Sequence, residues 1–591
     1  MSLGDLISEL KRRRVFRVLV GYGVFAFGVL QAIEPVMHGL HWPEVVLTYV
    51  VFGLVVGFPV AVTLAWVFDI KGGRIVWTAS APEGLRGVRV GLLLLVVCTL
   101  ASALIVVRYL ALRTASPSAD ELMRRRLDAI PPASDIHAPP SIAVLPFLNM
   151  TPDKEQEYFS DGLAEEVLNL LAHVPQLRVI ARTSSFAFKG KPMEIAEIAT
   201  KLRVSNLLEG SVRKSGAFLR VTAQLIRASD SSQLWSATYD RELTDVFRVQ
   251  DEIAAAVVAA LKLKLLPAGQ LRSGSRSPNL EAYDHYLVAR ELYGRANPDG
   301  YRGAVAAFQQ TLALDPGYAA AYVGLAAAEV FVADYAETSE ENAAHKQGAI
   351  AAAERAIELA PDLADAWAQR GWIRSNISWD WAGARADFER ALAIEPANSI
   401  VLARYPQLLG SLGKLPEAIA CLRRATELNP WASGVWGNLG YYFAVAGQLA
   451  DSRQALERAL AINPKGSFAR SNLAMTTLLE GRAQEAIPIF EQAGDFFSLV
   501  GVALAQHSLG HPAESEKALE RLIAKYAHDA PCQIAEVYAW RGEKDKAFAW
   551  LQRAYTEHDG GLSDIKVDPL LVSLRSDPRF AVLVKQMGLP E

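Results

Sequence analysis

With 591 residues, 51% of them hydrophobic and 21% charged, the chain is long enough for several domains rather than one core. Its formal charge of −4 conceals an asymmetry, because residues 1–126 hold 14 Lys and Arg against 8 Asp and Glu, which leaves the remainder at −10. An acidic bulk lacks the clustered cations that neutralise phosphates, so no nucleic-acid partner is expected.

Three apolar runs come first in chain order. Residues 15–33 are apolar apart from Arg17, while 45–68 and 90–107 hold no charge at all. A helix needs about 17–25 such residues to cross a bilayer, so each run predicts a transmembrane helix with membrane lipid as its partner. Gly57 and Pro59 are tolerated in such a helix. A cleaved leader is disfavoured, since the first run ends in Ile33-Glu34-Pro35 without a small-x-small site and two more runs follow. Lys11-Arg12-Arg13-Arg14 precede the first run, the loop 34–44 has no Lys or Arg, and the second loop has Lys71, Arg74, Arg86 and Arg89. This bias predicts a bacterial inner-membrane protein with residues 1–14 in the cytoplasm and the soluble region in the periplasm. Arg108, Arg113 and Arg124-Arg125-Arg126 run against that orientation, and the reverse placement is the alternative. Residues 108–140, rich in Ala, Ser and Pro, read as a linker whose arginines are solvated or touch anionic headgroups.

A small α/β domain is predicted over 141–267. Ser141 to Phe147 is a short apolar run, as a buried strand would be. In the next segment Leu163, Val167, Leu170 and Leu171 share one helical face, with Ser160 or Asp161 as the candidate cap and Glu165 and Glu166 early in the helix. Leu177 to Ala181 reads as a strand, Ile195 to Leu202 as an amphipathic helix, and Asn206–Val212, Phe218–Ile226 and Leu234–Tyr239 as three further strands. A long helix from Val246 to Leu265 closes the order βαβαβββα, which suggests an α/β sandwich.

The blocks SIAVLPFLNMTPDKEQEYFSDGLAEEV, RVIARTSSFAFKGK, LLEGSVRK, RVTAQLI, LWSATYDREL and VFRVQDEIAAAV occur in order from Ser141 to about Leu265. Together they resemble the TolB amino-terminal-like, or FlgO-like, domain of bacterial envelope proteins. That resemblance implies a periplasmic domain placed between a transmembrane segment and a repeat array, and it implies no activity. Some proteins of this kind carry a winged-helix DNA-binding domain or a class III nucleotide cyclase domain before the membrane. This chain departs from both, with 14 residues ahead of its first apolar run.

Beyond residue 280 helix ends fall on a beat marked by Pro361, Pro396, Pro430 and Pro464, spaced 35, 34 and 34 residues apart. A 34-residue period of helix, turn, helix and proline is the signature of tetratricopeptide repeats, which stack into an all-α solenoid. In the best copy, Ser433 to Lys465, the small Gly440 lets the two helices approach while Leu456 and Ala459 pack from the second helix. Ala304 and Phe308, Ala353 and Ala356, Ala384 and Phe388, Ala418 and Leu422, Ala486 and Phe490, and Ala547 and Leu551 keep the same register. About ten extra residues around Asp334 to Asn342 stretch one unit. Seven or eight units over 280–558 follow, then a tail, 559–591, whose DPLLVSLRSDPRFAVLVKQMGLP also resembles the end of such proteins. The fold class expected is therefore multidomain: transmembrane helices, a small α/β domain and a helical solenoid.

No residue set carries convincing chemistry. There is no phosphate loop, HExxH, GxSxG or GxGxxG, so no enzyme and no cofactor is expected. Asp161, Glu165 and Glu166 are paired carboxylates on paper, and a solvated helix start explains them better. His507 and His511 are four residues apart, but they lack a third metal ligand, and Gly510 between them suggests a turn. The segment Arg182 to Lys191 mixes bases with Phe186 and Phe188, and packed phenylalanines at a strand end outweigh nucleic-acid stacking. Cys98 lies in an apolar run and Cys421 and Cys532 lie far apart, so burial explains them better than a bridge. Tyr441, Val445, Phe468, Met475 and Leu479 map to the first helices of the repeats and form the candidate protein-binding surface, or else pack into neighbouring helices. They lack the Lys/Arg/Asn series of a carboxylate clamp. The expected function is a membrane-anchored scaffold that binds a protein or peptide through its repeats. The alternative is a sensory transducer or enzyme with its site in the α/β domain.

Overall fold

The chain divides into two units, Met1–Leu122 and Met123–Glu591. The computed structural model describes residues 140–261 apart from 152, 154, 155 and 175, residue 263, residues 277–590 apart from 337, and, nearer the amino terminus, residues 22, 26, 27, 29, 54, 68–71 and 74–77. In the first unit strands β1 (Phe68–Lys71) and β2 (Arg74–Trp77) pair antiparallel, Phe68 opposite Trp77 and Lys71 opposite Arg74. The predicted spans 15–33, 45–68 and 90–107 lie almost wholly outside the described residues, and β1 begins on the last residue of the second. Among the described residues no helix is long and apolar enough to cross a membrane. The longest, Ser339–Leu359 with 21 residues, carries Glu340, Glu341, Lys346, Glu354, Arg355 and Glu358. Both the transmembrane part of the expected fold class and the three-span inner-membrane placement are thereby corrected: the architecture is a helical solenoid with a small sheet domain.

The second unit opens with β3 (Ser141–Val144), β4 (Leu148–Asn149), α1 (Glu157–Ala172), β5 (Arg178–Val179), α2 (Arg182–Phe186), α3 (Ile195–Leu202), β6 (Asn206–Ser215), β7 (Phe218–Arg227), β8 (Gln233–Glu242) and α4 (Val246–Ala260). Strand order is β5-β3-β6-β7-β8, with β4 also on β6. The β3 strand runs parallel to β5 and β6, while β6, β7 and β8 form an antiparallel meander. Covered on both faces, β3 is apolar at every step from Ile142 to Val144. Ile142 and Val144 face a core shared with Leu163 and Val167 of α1 and Ile253 and Val257 of α4. Ala143 and Leu145 face Ile198 and Leu202 of α3. Two local expectations change. Helix α1 starts at Glu157, ahead of the proposed caps, so Ser160 and Asp161 lie within it. The segment after β5 coils into α2 instead of ending a strand.

Eight antiparallel helix pairs follow among the described residues: α5 (Leu280–Gly294) and α6 (Pro298–Leu314), α7 (Ala319–Asp334) and α8 (Ser339–Leu359), α9 (Ala364–Ile373) and α10 (Trp381–Ile394), α11 (Ser399–Ser411) and α12 (Leu415–Leu428), α13 (Ser433–Val445) and α14 (Leu449–Ile462), α15 (Ser467–Leu479) and α16 (Ala483–Glu491), α17 (Asp495–Ser508) and α18 (Pro512–Tyr526), α19 (Pro531–Trp540) and α20 (Lys544–Glu557). After two short 3-10 turns, Gly560–Asp564 and Pro569–Leu574, helix α21 (Pro578–Gln586) ends the described chain. The extra residues near Asp334 lengthen α8 rather than a loop. Ala304, Ala384, Ala418, Ala486 and Ala547 are fully buried, as are Leu456 and Ala459. A Cβ on Gly440 would fall inside the van der Waals surface of Leu456, so only glycine permits that helix crossing.

The turn inside each later pair is also a device that repeats. Gly413, Gly447, Gly481, Gly510 and Gly542 all adopt φ between 73° and 80°. At Gly447 the N–H bonds to Ala444 O at 2.9 Å and the next N–H, from Gln448, to Phe443 O at 2.8 Å. These two bonds form the Schellman motif, in which a left-handed residue satisfies the last carbonyls of the first helix. Gly447→Ala should therefore lower stability by about 1 kcal/mol, since alanine is strained at that φ. Gly434→Ala, on the first turn of α13 with open space around it, should be neutral or gain up to about 1 kcal/mol from helix propensity. Thermal unfolding of the two variants side by side checks both signs.

Candidate functional site

The first helices of successive pairs pack on one another, α13 on α15, α15 on α17 and α17 on α19, and so build one inner face. All five predicted surface residues lie there, on α13 and α15. They differ in what they offer. Phe468 is 44% exposed, while Tyr441, Val445, Met475 and Leu479 are half-buried. Phe468 lies over Gly437 and its ring centroid is 6.3 Å from that of Tyr441. Met475 packs against the main core.

Tyr441 is engaged by a segment that carries no repeat signal. The chain's own C-terminal tail crosses the inner face: Tyr441 donates to Asp564 Oδ2 at 3.0 Å and Tyr442 to Asp564 Oδ1 at 3.3 Å. Cys532 N donates to Asp559 Oδ2 at 2.9 Å, Ser573 Oγ to Ala539 O at 3.1 Å, and Trp381 Nε1 to Met587 O at 2.7 Å. Leu562, Ile565, Leu571 and Leu574 of the tail are fully buried within the solenoid's core. Sequence reasoning missed this docking because the partners are more than a hundred residues apart.

A second surface ties the sheet domain to the solenoid. Asn279 caps α5 through its side chain, and α5 packs on α1, where a Cβ on Gly162 would collide with Leu287. Glu165 holds Arg290 at 2.5 Å and Arg182 at 2.9 Å. Further along, α2 meets the loop between α12 and α13. Ala181 N donates to Leu428 O at 2.9 Å, Trp431 N donates to Ser184 Oγ at 2.8 Å, and Ser184 Oγ donates in turn to Asn429. Phe188 lies 5.3 Å from Trp431, which also sits beneath Lys201 at 5.5 Å and Arg458 at 4.9 Å.

The remaining chemical candidates have structural partners. Asp161 pairs with Lys189 at 2.6 Å, and burial raises its pKa against the pull of that lysine. Arg182 lies over the Phe186 ring at 4.5 Å, so a base and an aromatic of this segment meet each other. Cys421 and Cys532 are free and buried, and burial pushes the Cys421 thiol up to about 12, which leaves it an inert core residue. Gly510, between His507 and His511, forms the turn described above with φ 78°, and His511 Nδ1 contacts Gln506 Oε1 at 2.9 Å.

Residues 407–467, from α11 to the start of α15, match the family model described as Tetratricopeptide repeat. "Putative adenylate cyclase 3" of Rhizobium meliloti (strain 1021) is 42% identical over 198 residues, which are 33% of this chain and 34% of that protein. The chain thus spans about a third of the length of that curated relative. Among solved structures, PilF of Pseudomonas aeruginosa is 20% identical with a TM-score of 0.30, covering 36% of this chain and 93% of its own. PilW, described as a widely conserved type IV pilus biogenesis factor, is 22% identical with a TM-score of 0.31, covering 36% and 98%.

Trp431→Ala removes one ring contact and two cation–π contacts, the latter worth about 0.5–1 kcal/mol each at accessible sites. Hydrogen exchange across 182–191 should accelerate roughly tenfold, as about 1.4 kcal/mol implies. Exchange in β6 and β7 should stay unchanged.

Proposed function

We propose that this chain is a scaffold that holds a protein or peptide partner on the inner face of its repeats, with the exposed Phe468 as the leading contact. Phe468 carries this reading, because a 44% exposed phenylalanine on an inner helix offers apolar area for burial by a partner. Leu479, Met475 and Val445 extend the apolar surface along α13 and α15, and Tyr441 joins it where the tail permits. In this reading the sheet domain, which resembles TolB amino-terminal-like domains, is a rigid mount that fixes the start and middle of the array. Its ion pairs from Glu165 and Asp161 support a structural use of these carboxylates over a catalytic one. Cyclase activity belongs to the name of the partial relative.

A photoreactive residue placed at Phe468 in the full chain, with a second at the exposed Arg521 on the outer helix α18 as control, tests the proposal in the source cell. The expected outcome is a discrete protein adduct from 468 and none from 521. Equal or absent adducts from both positions would refute an inner-face partner.

A further inference from the structure

The tail makes the inner face a surface that already has an occupant. We propose that residues 559–590 form a proton-linked clasp that closes this face and must lift before a partner can spread across it. The partner half of the proposal rests on the scaffold reading, whereas the clasp is a property of the chain alone.

Its geometry is that of a docked peptide. The tail leaves α20, turns through Gly560–Asp564 against α11, α13 and α19, runs through Pro569–Leu574 on α19, and reaches back to Trp381 at the head of α10. A Cβ on Gly410 of α11 would stand 2.6 Å from the Tyr442 hydroxyl of α13 and 2.8 Å from Asp564 Oδ1, so the tyrosine and the tail carboxyl it holds together fill the space that a side chain would take. At its base, Trp379 holds φ 50°, a left-handed conformation that is strained for a bulky residue. Its ring stacks on His558 at 4.4 Å and meets Tyr555 at 5.8 Å. The preceding helix end is a π-turn, Arg374–Ser378, where later repeats have a glycine turn. Local strain is thus maintained where the last repeat meets the third.

The clasp seals carboxyl groups against one another. Asp564 faces the Tyr441 and Tyr442 hydroxyls from α13 and Asp568 from its own segment. Asp568 faces Glu536 of α19, Leu570 N and the Arg575 guanidinium. Glu536 also meets Cys532 Sγ at 3.8 Å, Gln533 at 3.5 Å and the field of Asp559, which itself accepts from Cys532 N and Gly561 N and lies near Glu557. Lys566, a second cation of the tail beside Arg575, donates to Pro590 O at 2.5 Å instead of to these acids. Burial raises Asp564 to about 6, with the two tyrosine hydroxyls opposing. Glu536 and Asp568 share a hydrogen bond, and burial together with their mutual repulsion holds the pair's proton uptake well above the ordinary carboxylate range.

The sign follows from linkage. A docked carboxyl that keeps its proton up to about pH 6, and would lose it near 3.8 once released, favours docking at acid pH. That advantage is complete below about 3.8 and disappears as pH rises through 6. Asp564 alone then changes the docking equilibrium by about 100-fold across this window, because proton affinity differs tenfold for every pH step between the docked and released values.

Hydrogen exchange of the full chain between pH 3.5 and 7.5, corrected for intrinsic rates, reads the opening of 560–574. The opening constant should rise up to about 100-fold with pH, while α14 keeps its protection. Asp564→Asn should flatten the rise by the share of that carboxylate. Should that variant fold poorly, Tyr441→Phe with Tyr442→Phe removes the opposing hydroxyls and should move the rise to higher pH. Gly410→Ala, favourable for the helix itself, should open the tail at every pH. A pH-independent opening, or an Asp564→Asn slope equal to the parent's, would overturn the clasp. If the tail opens as described and the crosslink from position 468 is no stronger in Gly410→Ala than in the parent, the gating of a partner is overturned and the clasp stands. Loss of all adducts at 468, with the opening intact, sinks the scaffold reading alone.

Discussion

The helical pairs of this solenoid depend on one steric constraint: a small residue must stand where the two helices cross, and in six of the eight described pairs it is an alanine of the second helix. Ala304, Ala353, Ala384, Ala418, Ala486 and Ala547 meet it with no exposed surface. Gly440 meets it from the other side of the crossing against Leu456. Once the helices approach that closely, the larger side chains around the crossing, such as Phe308, Phe388 and Phe490, are buried as well. No pair covers both of its faces by itself, so each needs the next, and burial in one continuous core from α9 to α21 is the result. The sheet domain extends the same logic at the other end, because its core runs without a break into α5, α6 and α7.

Much of this was legible because it is periodic. Pro361, Pro396, Pro430 and Pro464 announce helix ends, and small residues one period apart announce crossings. A second beat, the left-handed glycines at 413, 447, 481, 510 and 542, recurs in the turn of each later pair at looser spacing. It is harder to see in sequence, since glycine also serves crossings such as Gly440 and open helix positions such as Gly434. Trp379 shows the limit of the pattern, for there the turn is made by a bulky residue whose ring stacks on His558 far along the chain. Local hydropathy was a poorer guide than periodicity: apolar runs predicted membrane helices, but the described residues include no spanning helix and place a hairpin at the end of the second run.

Charged groups were legible as types but not as partners. The bases of 182–191 looked available to a ligand, and their aromatic neighbours looked like a stacking platform. In the fold, Arg182 and Lys189 neutralise Glu165 and Asp161 of α1, and Phe188 closes over Trp431. The same segment fixes the domain to the array at a point 245 residues along the chain, through Ser184 and Asn429. Sequence distance hid that contact as thoroughly as it hid the tail.

Helix α13 is where these long-range contacts converge. The loop that leads into it, Leu428 to Trp431, is held by α2 of the sheet domain, while Tyr441 and Tyr442 near its end hold the tail. Gly440, between the two, fixes α13 against Leu456 and leaves it little freedom to roll. A rigid element gripped at both ends transmits displacement, because close-packed side chains have few intermediate arrangements. Lifting the tail relaxes one restraint on α13 and leaves the sheet domain's grip in place, so the inner face is uncovered without the array losing its mount.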